Sequence, residues 1–187
     1  MVSNRSRAIV AIIFLVGGIY VAYLTLFAPQ HEINATSASQ ALYVKSQAPK
    51  VSDQDRLIIP KISVNAPINP GGVATLENGA IWHRQPQNGD PASGGNFVLA
   101  GHRYQFATTP DHAIKNSVLY DLDKMKLGDR ILVDWHKNRY TYKVTKIYSV
   151  KPNAIEIEER STKPKMTLYT CTLAGSTDGR IVIEAKL

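Results

Sequence analysis

The feature that most limits what this chain can fold into is an uncharged run of 21 residues from Ala8 to Ala28. As a helix it is ~31 Å long, enough to cross the ~30 Å hydrocarbon core of a bilayer. Arg5 and Arg7 precede it, and apart from His31 the next basic residue is Lys45. Positive charge is retained on the inner side of a membrane, so the remainder of the chain is expected outside the cell. A cleaved signal peptide is the competing reading, but its apolar core usually spans ~7 to 15 residues and ends in a small-x-small site. Here the run ends Leu26-Phe27-Ala28-Pro29, which favours an uncleaved anchor, although the Ala/Ser-rich stretch from Thr36 to Ala41 leaves a cleavage site open. The expected plan is residues 1–7 inside, 8–28 across the membrane, 29–56 as a polar extracellular stalk and 57–187 as a single folded domain.

Within 57–187, Val, Ile, Thr and Tyr crowd into short stretches bounded by Gly, Pro, Asn and Asp, the pattern of a mainly β domain. Leu57-Ile58-Ile59 is stopped by Pro60, and Lys61 to Val64 resumes with period two before Pro67. Gly79 to His83 and Gly95 to Gly101 read as strands. Arg103 to Asn116 shows no clear period and reads as a long loop or short helices, with a brief helical turn in Leu119 to Leu127. Arg130 to Trp135 and Arg139 to Tyr148 form a hairpin across His136-Lys137-Asn138. Met166 to Cys171 and Arg180 to Ala185 are two strands around a Gly/Ser/Asp loop. Seven or eight short strands at this spacing predict a barrel or sandwich.

The basic excess, 22 Lys and Arg against 15 Asp and Glu for a net charge of +7, is scattered through strand-like segments. It forms no block and lies beside no aromatic platform, which argues against nucleic acid.

Cys171 is the only cysteine. In an exported chain it has no intramolecular disulfide partner, so it is either a buried small hydrophobe or a free thiol with chemistry to do. Pairing the last two strands as a hairpin sets Tyr169 against Val182 and Leu168 against Ile183. Met166, Leu168, Thr170, Ile181, Ile183 and Ala185 then share an apolar face, while Cys171 and Arg180 fall together on the other face, at the rim. A thiol beside a guanidinium at an open strand end is a setting in which thiolate forms. Among the five histidines, His102 follows a strand directly, in Val98-Leu99-Ala100-Gly101-His102-Arg103, where glycine permits a sharp exit. For His31, His83, His112 and His136 a solvated or hydrogen-bonded surface position is expected. No two histidines have metal-ligand spacing and one cysteine is too few for a zinc site, so no metal site is assigned.

Thr167-Leu168-Tyr169-Thr170-Cys171 resembles the Thr-Leu-x-Thr-Cys signature of sortases, Ala100-Gly101-His102-Arg103 resembles their histidine segment, and Arg180-Ile181-Val182-Ile183 is similar to their arginine strand. Leu57-Ile58-Ile59-Pro60-Lys61-Ile62 is similar to the first strand, so the resemblance runs in order from Leu57 to Leu187. It implies a closed eight-stranded β-barrel with short helices and a groove on its outer wall. It also implies a cysteine transpeptidase in which Cys171 attacks the Thr-Gly bond of a C-terminal sorting signal of Leu-Pro-x-Thr-Gly type. His102 moves the protons, Arg180 stabilises the oxyanion, and Thr170 is carried over as a substrate-site residue; an inward-facing β-former is the equal alternative for Thr170. The implied partners are surface proteins or pilins bearing the sorting signal, with a peptidoglycan precursor or a pilin lysine as amine acceptor. No cofactor is implied. No Asp-Pro-aromatic lid motif stands in the stalk. Glu156, Glu158 and Glu159 resemble calcium-responsive acidic residues of some members; a solvated face is the reading preferred for them, and calcium is not assigned. The alternative function from another class is a catalytically silent, membrane-tethered binding barrel.

Overall fold

The structure, a computed structural model, describes residues 50–187. The expected anchor over 8–28, the inner N-terminus and most of the stalk lie outside the described residues. Among those described, no helix is long and apolar enough to cross a membrane.

The strands are β1 (Arg56–Ile59), β2 (Val64–Asn69), β3 (Ile81–Arg84), β4 (Gly89–Asp90), β5 (Gly94–Ala100), β6 (Arg130–Trp135), β7 (Asn138–Val150), β8 (Lys165–Thr172) and β9 (Gly175–Lys186). Among the described residues one short α-helix, α1 (Pro110–Asn116), stands between the strands beside several 3₁₀ turns, with Thr109 capping it by accepting the His112 N–H. The fold is mainly β, with nine strands in one sheet ordered β3-β2-β1-β6-β7-β9-β8-β5-β4, and β3 pairs with β5 as well as with β2. The β2–β3 and β5–β8 pairs are parallel. Parallel neighbours require crossovers, and the link from β5 to β8 carries α1 and the β6–β7 hairpin.

Period-two alternation puts Leu57, Ile59, Phe97, Leu99, Ile131, Val133, Met166, Leu168 and Ile183 into one core. The reverse face of β5, β8 and β9 carries Val98, Ala100, Tyr169 and Val182, which pack with Ile157 from the β7–β8 link into a second, smaller cluster. This alternation is why one hairpin can be core on one side and site on the other.

Local departures from the sequence reading have identifiable causes. Pro60–Ile62 is a 3₁₀ turn closed by Ser63 in the left-handed region at φ 54°, and β2 then runs straight through Pro67. The Ile68 N–H donates to Asp55 O on the β1 side, so the position of Pro67's missing N–H faces β3, whose pairing starts only at Ile68. His136 and Lys137 both take positive φ, 47° and 65°, making the two-residue turn that matches strand twist. The expected loop after Cys171 is short: β9 begins at Gly175, which pairs with Thr172.

Candidate active site

The β8–β9 ladder sets Leu168 against Ile183, Tyr169 against Val182 and Cys171 against Arg180, as the alternation required. A register shift follows immediately between Cys171 and Thr172. Such an irregularity at a strand end re-aims side chains, and it leaves the Cys171 thiol half-buried and free. Arg180 turns its Nη1 onto the backbone of its own strand, donating to Ser176 O at 2.8 Å and Gly179 O at 3.0 Å. It forms no ion pair with Asp178 or Glu184: Asp178 accepts from the Thr172 hydroxyl, and Glu184 is engaged by Lys146, Lys165 and Tyr148.

On the other side of β8, the parallel partner β5 sets Ala100 against Tyr169. Past the last ladder pair the strands stay tied, because the Gly101 N–H donates to Tyr169 O at 3.3 Å and the Thr170 hydroxyl donates to Gly101 O at 2.8 Å. Continuing that register by two residues brings His102 level with Cys171. The histidine carbonyl accepts the Leu119 N–H at 2.9 Å, which fixes the chain as it leaves the sheet. Three neighbouring strands thus carry the residues, with the cysteine in the middle: His102 just past the end of β5, Cys171 near the end of β8, and Arg180 within β9 opposite the cysteine.

Gly101 serves this arrangement through space rather than left-handed backbone. A Cβ there would lie 2.8 Å from Leu119 Cδ1 and 2.9 Å from Ile81 Cδ1. Thr170 is buried, facing the core side with its hydroxyl spent on Gly101. The His102 ring is about a quarter exposed, and its Nε2 lies 3.9 Å from Glu77 Oε1.

His83 departs from its expected surface position. It alternates inward with Ile81 and is buried against Phe97 and Trp135, ring centroids 4.9 and 5.3 Å away. Burial pulls its pKa below 6.5, although its ring nitrogen contacts Gly89 O at 3.3 Å. His112 and His136 are exposed, and His31 lies outside the described residues.

Sequence reasoning missed the groups that brace this face. The Arg84 Nε lies 2.6 Å from Glu158 Oε1, and Arg84 Nη2 donates to Oε2 at 3.0 Å. The Tyr169 hydroxyl donates to the same carboxylate. Burial first, and then Glu158, pushes the Tyr169 phenol pKa upward, so it stays a proton donor. Asn96 Nδ2 donates to Ile157 O and Glu159 O, and Asn88 Nδ2 to Glu158 O. The solvated face expected for the acidic run therefore holds for Glu156 and Glu159 but not for Glu158, whose side chain is 13 % exposed. Nothing in the local sequence distinguished Glu158, since its partners Arg84 and Tyr169 are 74 and 11 residues away along the chain and meet it only in the fold. Arg103 is likewise buried, with Nη2 3.0 Å from Asp123 Oδ1. A concavity of about 580 Å³ beside β2 and α1, lined by Arg56, Asn65, Lys115 and Tyr120 among others, includes none of His102, Cys171 and Arg180. Chemistry, not volume, marks the site.

Residues 57–187 match the sequence model of the Sortase domain. The chain belongs to the sortase family. Its enzymes are cysteine transpeptidases, and this sortase has one cysteine to offer. It is 28 % identical to Sortase A of Bacillus anthracis over 215 residues, covering 100 % of this chain and 97 % of the relative. Among solved structures, it resembles a Sortase D5 transpeptidase of Clostridium perfringens in fold, with a TM-score of 0.59 at 24 % identity over 82 % of this chain and 89 % of the other. Sortase C1 of GBS Pilus Island 1 matches with a TM-score of 0.60 at 25 % identity, covering 72 % of this chain and 64 % of that one.

Proposed function

We propose that this sortase is a membrane-anchored enzyme that uses Cys171, His102 and Arg180 to transfer a sorting-signal protein onto an amine at the cell surface. The observation that carries the reading is that the neighbouring strands β5, β8 and β9 carry His102 just past the end of β5, Cys171 near the end of β8 and Arg180 opposite Cys171 in β9. The Cys171 thiolate attacks the threonine carbonyl of the Thr-Gly bond, and Arg180 donates hydrogen bonds to the oxyanion and the substrate backbone. The C–N bond breaks as the His102 imidazolium gives its proton to the leaving glycine amine, leaving a thioester on Cys171. The acceptor amine then attacks the thioester and gives a proton to His102. The C–S bond breaks, and the thiolate is restored.

The ring of pairings in which β3 meets both β2 and β5 supports a closed eight-stranded barrel, with β4 appended to β5. The uncharged run over 8–28 and the basic flank at Arg5 and Arg7 support a single-pass anchor with the catalytic domain outside. The acceptor is a peptidoglycan-precursor amine or a pilin lysine. Thr170 acts on substrate through the strand ends it ties together.

The test is to incubate the full chain in detergent with a library of sorting-signal peptides and with both kinds of amine, and to identify products by mass spectrometry. Peptide cleaved after threonine and joined to an amine is expected. Absence of any joined product, with the protein folded, contradicts the reading. Protease added to intact cells should remove the domain; its protection while another exterior protein is digested would refute the topology.

A further inference from the structure

We infer that Glu77 is a positioning residue for His102, receiving the imidazole Nε2–H so that Nδ1 is the nitrogen that exchanges protons with the reacting groups. The inference rests on the proposed role of His102 and deepens it.

His102 Nε2 is shielded from solvent and has no hydrogen-bond partner among the described residues, although the ring as a whole is partly open. A polar nitrogen shut away from water is rarely left unmatched, and the facing charged group is the Glu77 carboxylate, with Oε1 3.9 Å away. That carboxylate is itself steered. Its Oε2 accepts from Gln105 Nε2 at 3.2 Å, and the Gln105 N–H donates to Ser117 Oγ at 3.0 Å, whose own hydrogen goes to Ala113 O at 2.6 Å. A chain of polar contacts therefore runs from α1 through Gln105 and Glu77 toward His102.

The backbone under Glu77 is equally defined. It lies in the 3₁₀ segment Val73–Asn78, anchored by buried Leu76 and ended by Gly79 at φ 69°. A side chain at Gly79 would be strained and would put Cβ 2.5 Å from Lys115 O. Glu77 is thus carried on a fixed turn while its carboxylate keeps the freedom to close the remaining ~1 Å, in keeping with the way catalytic hydrogen bonds shorten once substrate is bound.

The chemical consequence follows from imidazole having two distinct nitrogens, because the partner of one decides the task of the other. With the Nε2 proton held by Glu77 throughout, the proton given to the leaving amine comes from Nδ1. The proton taken from the attacking amine returns to Nδ1. No net proton passes to Glu77, which acts through His102 alone.

The test compares wild type with Glu77→Ala, Glu77→Gln and His102→Ala as full chains in detergent, measuring kcat and KM for peptide transfer and the ¹⁵N signals of His102. Glu77→Ala should lower kcat by about tenfold or more with KM little changed, and should shift neutral His102 away from an Nε2–H form. Glu77→Gln keeps an acceptor oxygen and should recover part of the loss. Glu77 is exposed, so both variants should melt as the wild type does. Near-normal kcat in Glu77→Ala with unchanged His102 signals, while His102→Ala is inactive, overturns this inference alone. Turnover by His102→Ala overturns the role of His102 and the inference with it.

Discussion

The Thr170 hydroxyl donates a 2.8 Å hydrogen bond to the carbonyl of Gly101, joining the residue before the cysteine to the residue before the histidine. The bond lies where the β5–β8 ladder has ended, so it holds two strand tips that would otherwise splay. Thr170→Val keeps the shape but leaves the Gly101 carbonyl without this donor, at a cost of ~1 to 3 kcal/mol. Turnover should fall by more than stability suggests, by up to about 100-fold, because an ångström of misplacement between nucleophile and acid is that costly. Thr170→Ser should restore both. Urea melts and steady-state kinetics on the two variants check this.

Arg180 separates charge from shape. Lysine keeps the charge but lacks the planar fork that grips a carbonyl oxygen and a backbone together. Arg180→Lys should slow acylation and Arg180→Ala should slow it by ~100-fold or more. Thermal stability should change little, since the hydrogen bonds of the side chain are two to its own strand, one exposed and one part-buried. Near-normal turnover in Arg180→Ala would reduce the arginine to structure.

Glu158 holds the β7–β8 link against the sheet by serving Arg84 and Tyr169 at once. Glu158→Ala should destabilise the fold by ~1 to 3 kcal/mol, since it strands a buried phenol and a partly buried guanidinium. A double-mutant cycle with Arg84→Ala should give a coupling of ~0.5 to 3 kcal/mol. Additive losses would mean that the pair is only a surface contact.

Much of this site was legible because alternation is local. The hydrophobic pattern of Met166 to Cys171 against Arg180 to Ala185 admits one register with an apolar inner face, and that register is the one observed. His102 was legible as the residue after a strand. Its nearness to Cys171 was not, because β5 and β8 are parallel and far apart in sequence, and no short-range pattern encodes such a pairing. His83 misled because a lone histidine is more often a solvated surface residue than a buried one; only the arrival of Phe97 and Trp135 from other strands makes it core. Ser176 to Gly179 reads as a loop by composition, yet the chain there continues the β8–β9 ribbon.

Acid should weaken the fold through Asp134. Burial opposes its charge, but the paired Arg139 bonds at 2.6 and 2.8 Å and the Ser52 N–H at 2.9 Å prevail and hold the carboxyl below 3.8. The unfolded chain therefore takes up this proton first as pH falls. Stability from the pair is complete above the ordinary carboxylate range and is lost as pH drops through the folded value, from about pH 5 downward. Urea midpoints should decline across that window, and Asp134→Asn should flatten the decline. An unchanged slope in that variant would remove Asp134 from the account.

Every step of the proposed mechanism depends on acylation of Cys171. The full chain incubated with a sorting-signal peptide and no amine acceptor should gain the mass of the fragment ending in threonine, mapped to Cys171 and released on adding an amine. Cys171→Ala should stay folded and gain nothing. An adduct on any other residue, or acyl transfer by Cys171→Ala, would contradict the mechanism.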